Sequence, residues 1–219
     1  MKNIFSWTIG ALMLSFVPAY SQHDKVELGL RFIPQATTFR YTQGVAPIID
    51  FLKISAPYYF RVRTAQGIGI LYNPVQRLRL GADLLYSMQG GGYEERKTNL
   101  NYLKIPMWIG FNAKSKHRII FTVQSGIEFG FLISAKIKYS QGESVDIRHY
   151  VNKTSWGIPF AMGVKFKVHQ TYYVTTQLYL YSDFNTIAKT NSALGAYNYV
   201  YPGLRICIDQ NLSAFKIKK

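Results

Sequence analysis

Beyond its first two dozen residues the chain has no apolar run long enough to cross a bilayer as a helix. No later stretch approaches about eighteen continuous apolar residues, and Gly, Pro, Lys or Arg interrupts every candidate. A helical membrane protein is therefore excluded. Cysteine is almost missing as well: the single Cys207 has no partner, so there is no intramolecular disulfide framework, although an oxidising compartment is tolerated. Acids are scarce, 11 against 26 Lys and Arg. There are four histidines, and no metal-ligand spacing, phosphate-binding glycine loop or nucleotide motif occurs. No catalytic residue, metal or cofactor is assigned.

What is present begins with a leader. Lys2 supplies a positive start, Ile4 to Val17 an apolar core, and Ala19-Tyr20-Ser21 a small-x-small cleavage site, which predicts a signal peptide over 1–21. The apolar core is short of the roughly 20 residues a spanning anchor needs. No cysteine near the cleavage site supports a lipid-anchored mature N-terminus. Residues 22–219 then form one domain by length, with 25 bases against 11 acids. For an exported chain the natural acidic partner of that excess is phosphate-rich lipid headgroups, with no nucleic acid expected.

The remainder alternates apolar and polar residues in segments separated by connections that are by turns short and long. Strands are predicted at Lys25–Ile33, Thr64–Tyr72, Arg77–Gln89, Leu100–Asn112, Arg118–Ser134, Thr154–Val168, Tyr172–Ser182 and Tyr197–Ile208. In the third, Leu78, Leu80, Ala82, Leu84, Tyr86 and Met88 form one face and Arg79, Gly81, Asp83, Ser87 and Gln89 the other. Tight turns fall at Asn73–Gln76, Ala113–His117 and His169–Thr171. The long connections are Pro34–Arg63, Gly90–Asn99, Ala135–Lys153 and Asp183–Ala196. Short periplasmic turns and long external loops give this parity. Aromatic residues, 16% of the chain, suit girdles at two membrane interfaces. The fold class is all-β, an eight-stranded antiparallel up-and-down transmembrane β-barrel with both termini periplasmic, in the cell outer membrane. A soluble lipocalin-like barrel is the competitor, and it would turn its apolar face inward.

Three segments carry a family resemblance: Leu78-Arg79-Leu80-Gly81-Ala82-Asp83-Leu84-Leu85-Tyr86-Ser87-Met88-Gln89-Gly90, Asn101-Tyr102-Leu103-Lys104-Ile105-Pro106, and Tyr201-Pro202-Gly203-Leu204-Arg205-Ile206. Together they resemble the PorT-like outer-membrane β-barrel family of Gram-negative bacteria. The resemblance implies an outer-membrane barrel of no particular activity; the founding member's tie to a secretion apparatus is not carried over. It also implies the barrel-assembly machinery as a partner, which reads an aromatic residue at the end of such chains. Here the last strand is followed by a tail, Asp209 to Lys219, with Phe215 as the aromatic candidate.

The polar face of the strands carries Glu27, Arg31, Arg79, Asp83, Lys104, Glu128, Lys165, Lys167 and Arg205. Charges inside a narrow barrel must be paired or hydrated, because an isolated buried ion is very costly. Eight strands leave room for little beyond side chains, so an ion-pair network filling the lumen is expected, with Arg79 serving an acid such as Asp83 or Glu128. The rival is a narrow channel for ions or small solutes. Inward glycines Gly67, Gly69, Gly81, Gly126, Gly130, Gly157 and Gly163 relieve crowding or mark bends, Cys207 is expected on the lumen face, and Pro106 and Pro159 predict bulges.

Lys136, Lys138, Arg148 and Lys153 cluster in or beside the third long loop, a candidate surface for lipopolysaccharide phosphates. Glu95, Arg96 and Lys97 occupy the second, after a flexible Gly90-Gly91-Gly92 exit. His149, with Ser144, Asp146 and Ser155 nearby in sequence, is the one set to check for a lipid A-modifying enzyme. The other histidines, His23, His117 and His169, fall at the periplasmic side. The expected function is structural or surface interaction, with outer-membrane lipids including lipopolysaccharide, and an envelope protein of unknown kind, as partners.

Overall fold

The computed structural model describes residues 26–42, 61–75, 77–93, 96–113, 119–169, 171–185, 187 and 195–212. Its strands are β1 (Val26–Thr42), β2 (Arg61–Tyr72), β3 (Leu78–Gln89), β4 (Gly92–Tyr93), β5 (Arg96–Asn112), β6 (Ile119–Tyr139), β7 (Ser144–Asp146), β8 (Thr154–Lys167), β9 (Tyr172–Asp183) and β10 (Gly195–Asn211). Eight of these form one antiparallel sheet in the ring order β1-β2-β3-β5-β6-β8-β9-β10. The β1–β10 pairing closes the ring, so no long strand has a free edge. The two short strands fold back on the ring, β4 against Arg96 and Lys97 of β5, and β7 against Lys136 to Lys138 of β6.

Side-chain alternation sets the faces. On β3 the residues Arg79, Asp83, Leu85, Ser87 and Gln89 are buried, while Leu80 and Leu84 are exposed; on β5 Lys104 and Trp108 are buried, while Met107, Ile109 and Phe111 are exposed. The exposed rows continue around the ring through Phe121, Ile127, Phe129 and Phe131 of β6, Trp156 and Ile158 of β8, and Leu30 and Ile68 of β1 and β2. An exterior of this composition is what a bilayer solvates and water does not. The arrangement is the reverse of a soluble lipocalin-like barrel, because charge lies inside.

The turns after β2, β5 and β8 are short. Leu78 N donates to Val75 O at 3.2 Å in the first, Ala113 N to Phe121 O at 2.8 Å spans the second, and Val168 N to Tyr172 O at 3.1 Å closes the third. Gln76, Gln170 and residues 114–118, His117 among them, lie outside the described residues. The first and last described residues, Val26 and Leu212, lie on the side of these turns, the periplasmic side in barrels of this kind.

The strands run further than the alternation alone suggests. β1 continues to Thr42 and β2 begins at Arg61, so Pro34 to Thr42 and Arg61 to Arg63 belong to strands and not to a loop. Lys136 and Lys138 likewise sit on β6, which runs to Tyr139, and Asp183 is the last residue of β9. β10 extends to Asn211, which takes Asp209 out of the tail and into the barrel wall; Phe215 lies outside the described residues.

Proline placement also differs. The ladders keep one register through Pro106 and Pro159; they only lose two pairings at each, Asp83 with Pro106 and Leu84 with Ile105, and Gly126 with Pro159 and Ile127 with Ile158. A closed sheet tolerates one missing donor without inserting a residue. The bulges fall elsewhere, between Val200 and Gly203 around Pro202, and between Leu132 and Ser134 on β6. The second has a consequence for the surface. The extra residue, Ile133, switches the alternation so that Ala135 is buried while Lys136 and Lys138 point out, above the apolar row that ends at Phe131 and Ile133.

Candidate functional site: the lumen and the outer rim

Asp83 is the centre of the lumen. Its Oδ1 accepts from Arg31 Nε at 2.8 Å, and its Oδ2 accepts from Arg205 Nη2 and from Trp108 Nε1, both at 2.8 Å. Three strands, β1, β10 and β5, thus reach across the interior to one carboxylate on β3. Arg31 Nη1 also donates to Asp209 Oδ1 at 2.5 Å, and Arg205 Nη1 donates to Gln177 Oε1 at 2.6 Å. Gln177 Nε2 passes the chain on to Thr122 Oγ1 at 2.9 Å. The Arg205 guanidinium lies 5.0 Å from the Trp108 ring centroid, and Trp108 meets Tyr179 edge-on. The side chains of Arg31, Asp83, Arg205 and Asp209 have no solvent exposure. Gly69 makes the pair possible, since a Cβ there would lie 1.9 Å from Asp83 Oδ1 and 2.6 Å from Arg31 Nε.

Two further pairs flank this centre. Toward the periplasm Lys165 Nζ lies 2.5 Å from Glu27 Oε1, which also accepts from Asn73 Nδ2 at 3.1 Å; Lys165 sits 4.0 Å over the Tyr173 ring. Toward the outside Lys104 Nζ lies 2.6 Å from Glu128 Oε1 and 3.6 Å over the Tyr181 ring. Tyr179 donates to Glu128 Oε2 at 3.0 Å, and Tyr181 donates to Asp183. Ile33, Ala65, Leu85, Trp108, Ala161, Tyr179 and Tyr181 pack together at this level as an apolar layer. Cys207 is buried and free.

Arg79 differs from the expectation placed on it. Its nearest acid is Asp209, at 3.8 Å, and its three guanidinium nitrogens have no hydrogen-bond partner among the described residues. Asp83 and Glu128 are served by Arg31, Arg205 and Lys104. Lys167 is exposed at the periplasmic mouth, 5.9 Å from the Tyr173 ring. Asp183, Asp209, Gln177, Trp108, Tyr179 and Tyr181 are the network members that the sequence reading leaves out.

At the other end the extensions of β5 and β6 pack an apolar cluster of Leu100, Tyr102, Ala135 and Val151, with Leu132, Ile147 and Ile187 against it. Asn152 N donates to Ile187 O at 2.8 Å, which ties the β6–β8 connection to the β9–β10 connection. The Gly90–Gly92 exit is a fixed bend: Gly90 has φ +148°, its carbonyl accepts from Thr37 Oγ1 at 2.6 Å, and a Cβ would lie 2.1 Å from Thr98 O. Lys136, Lys138, Arg148 and Lys153 are all exposed, and Arg148 clamps Asp146 through its backbone N, Nε and Nη2. Those hydrogen bonds hold the Asp146 carboxyl below the ordinary carboxylate range. Arg96 is placed on β5, whereas Glu95 and His23 lie outside the described residues.

The hydrolase-like set is dispersed. Ser144, Asp146 and His149 are exposed, Asp146 is occupied by Arg148, and Ser155 is buried inside the barrel beside Gly130. No contact joins His149 to the other three among the described residues. Among those residues no group of three or more His, Cys, Asp or Glu is placed to hold a metal ion.

A closed eight-stranded barrel with an apolar exterior and buried ion pairs inside is an outer-membrane β-barrel protein. The chain belongs to the family described as "Outer membrane protein beta-barrel domain", whose model matches residues 21–187, and its place is the outer membrane. No curated protein matches the sequence. Among solved structures it is similar to Neisserial surface protein A, with TM-score 0.54, 9% identity, and coverage of 85% of this chain and 97% of that one. It is also similar to outer membrane protein W of E. coli, with TM-score 0.50, 15% identity, and coverage of 87% and 100%. OprG of Pseudomonas aeruginosa matches with TM-score 0.50, 10% identity, and coverage of 84% and 92%. At these identities the likeness concerns the fold alone.

Proposed function

We propose that the protein is a non-conducting outer-membrane barrel whose lumen is a structural ion-pair network and whose outer rim is its working surface, with lipopolysaccharide as the partner. The observation that carries this reading is the Arg31–Asp83–Arg205–Gln177–Thr122 chain, which spans the interior from β1 to β6 with every charged member buried. Purified protein in planar bilayers is expected to show no steady conductance. A stable wild-type conductance that changes with Arg205 or Glu128 would replace this reading with the narrow channel. Lipid A of unaltered mass with and without the protein is expected too, and a shifted mass would replace it with a lipid A-modifying enzyme.

The basic rim supports the surface role. Lys97 on β5 stands directly opposite Lys138 on β6, and Lys136 lies two pairs further down, opposite Asn99, so like charges share one outward face. Directly opposed like charges destabilise a sheet, and lipopolysaccharide phosphates are the anions available at this level. We further place the chain among the PorT-like members on the Leu78–Gly90, Asn101–Pro106 and Tyr201–Ile206 segments, and give it the barrel-assembly machinery as its folding partner. The leader reading, supported by a family match that begins at residue 21, gives a mature chain starting at Gln22. Mass spectrometry of protein from outer-membrane fractions checks this, and an intact leader there would count against it.

A further inference from the structure

At the outer end of β2 two guanidinium groups converge on one neutral oxygen. Arg61 Nη1 donates to Asn99 Oδ1 at 2.8 Å, and Arg63 Nη2 donates to the same atom. Neither arginine has a carboxylate within ion-pair reach among the described residues, and Arg63 Nε is buried with no hydrogen-bond partner. Both side chains are half-buried, so solvent reaches them without fully screening them. Burial holds both guanidiniums below their ordinary range, and the charge of Arg61 pushes Arg63 lower still.

The frame around this pair is ordered. Arg61 and Arg63 are ladder partners of Thr37 and Gln35 on β1. Thr37 Oγ1 donates to Gly90 O, and Gln35 Nε2 donates to Ser87 Oγ at 3.2 Å and Met88 O at 3.0 Å, which fixes the end of β3 over which both arginines reach to Asn99. On the outward face of β2 the polar Gln66 and Thr64 follow Ile68, and the next apolar residue, Val62, stands 83% exposed between the two arginines, so the site lies five residues or more beyond the continuous apolar row.

Among the described residues these two cations share one neutral acceptor, and no anion answers their charge. We propose that Arg61, Arg63 and Asn99 form an anion site for a phosphate group, carried either by a lipid headgroup or by free phosphate. Guanidinium forks give phosphate oxygens paired, charge-assisted hydrogen bonds, and the two forks here are held at one point by the amide oxygen. The site rests on the external placement of the rim and adjoins the Lys136 to Lys153 surface, because Asn99 is the ladder partner of Lys136; the arginine variants tell the two apart.

The test is calorimetry on the full mature chain refolded in detergent micelles. It is titrated with inorganic phosphate, and separately with detergent-solubilised lipid A carrying or lacking its phosphates. Arg61→Gln and Arg63→Gln are each expected to weaken phosphate binding roughly tenfold, the loss of one charge-assisted contact. Lys167→Gln, at the periplasmic mouth, leaves it unchanged. Asn99→Asp supplies an internal carboxylate to both guanidiniums, so it should abolish phosphate binding while the unfolding midpoint holds or rises, an outcome that simple misfolding does not produce. Binding of phosphorylated lipid A in preference to the dephosphorylated form, sensitive to Arg63→Gln, assigns the headgroup; binding of inorganic phosphate with equal response to both lipids assigns free phosphate. Absence of phosphate-dependent binding by the wild-type chain, or affinities unmoved by all three variants, overturns the site.

Discussion

Replacing Asp83 with alanine should lower the barrel's unfolding free energy by about 3–5 kcal/mol, the cost of leaving buried charge without its partner. The carboxylate accepts from Arg31, Arg205 and Trp108, and its loss leaves Arg205 with only the neutral Gln177 while Arg31 retains Asp209. Two guanidiniums then face each other in an interior from which water is excluded. Asp83→Asn preserves size and one acceptor, so it should fall between wild type and alanine. Asp83→Ala combined with Arg205→Met should recover part of the loss, because the orphaned cation is removed with its partner. Arg79→Ala should cost far less than Asp83→Ala, since Arg79 stands 3.8 Å from Asp209 without a hydrogen bond. Urea unfolding in lipid vesicles gives the comparison. Equal midpoints for Asp83→Ala and wild type would mean that water already fills the centre, and would favour the channel.

The alternation of single strands carried most of the architecture, and its failures have a common cause. Strand β3 could be divided into faces because Asp83 and Arg79 interrupt a row of leucines at every second position, and the faces of β5, β6 and β8 follow in the same way. Strand ends could not be placed, because beyond the bilayer both faces become polar and the contrast that marks a strand disappears. That is why Arg61, Arg63, Lys136, Lys138 and Asp183 look like loop residues and are strand residues. Asp209 was within reach: it lies two positions beyond Cys207, on the same face, and the alternation needed only to be carried on.

Partner choice inside the lumen is a different matter. Alternation says that Arg79 and Asp83 face inward, but the shear of the ring decides who meets whom. Asp83 is paired across β2 with Gly69, and Gly69 with Gly29, so two strands contribute no side chain at that level and Arg31 and Arg205 reach over the space. Nothing in the order of residues along one strand encodes that reach. The bulges are of the same kind. Pro106 and Pro159 invite them locally, yet the ring absorbs a missing donor, and the inserted residues appear at Pro202 and Ile133, where strands pass from the membrane band to the rim.

A charge placed on the outer face should show how deep that face lies. Leu84 is midway along the outward row of β3, between Leu80 and Met88, and 43% exposed. Leu84→Arg is expected to cost about 2–4 kcal/mol, because the guanidinium at the bilayer midplane must thin the lipid or draw water in. Ile119, at the periplasmic start of β6 and equally bare, offers the shallow control: its arginine can reach the headgroups, so the cost there should be about 0–1 kcal/mol. Unfolding of both variants in vesicles, against wild type, reads the gradient. In a soluble barrel either arginine would sit in water at almost no cost, and a pair of equal midpoints would return that fold to contention. A steep difference between Leu84 and Ile119 has no source other than a hydrocarbon layer around the row of leucines, isoleucines and phenylalanines, and it would fix the height of the Arg61–Arg63 rim above that layer by the same scale.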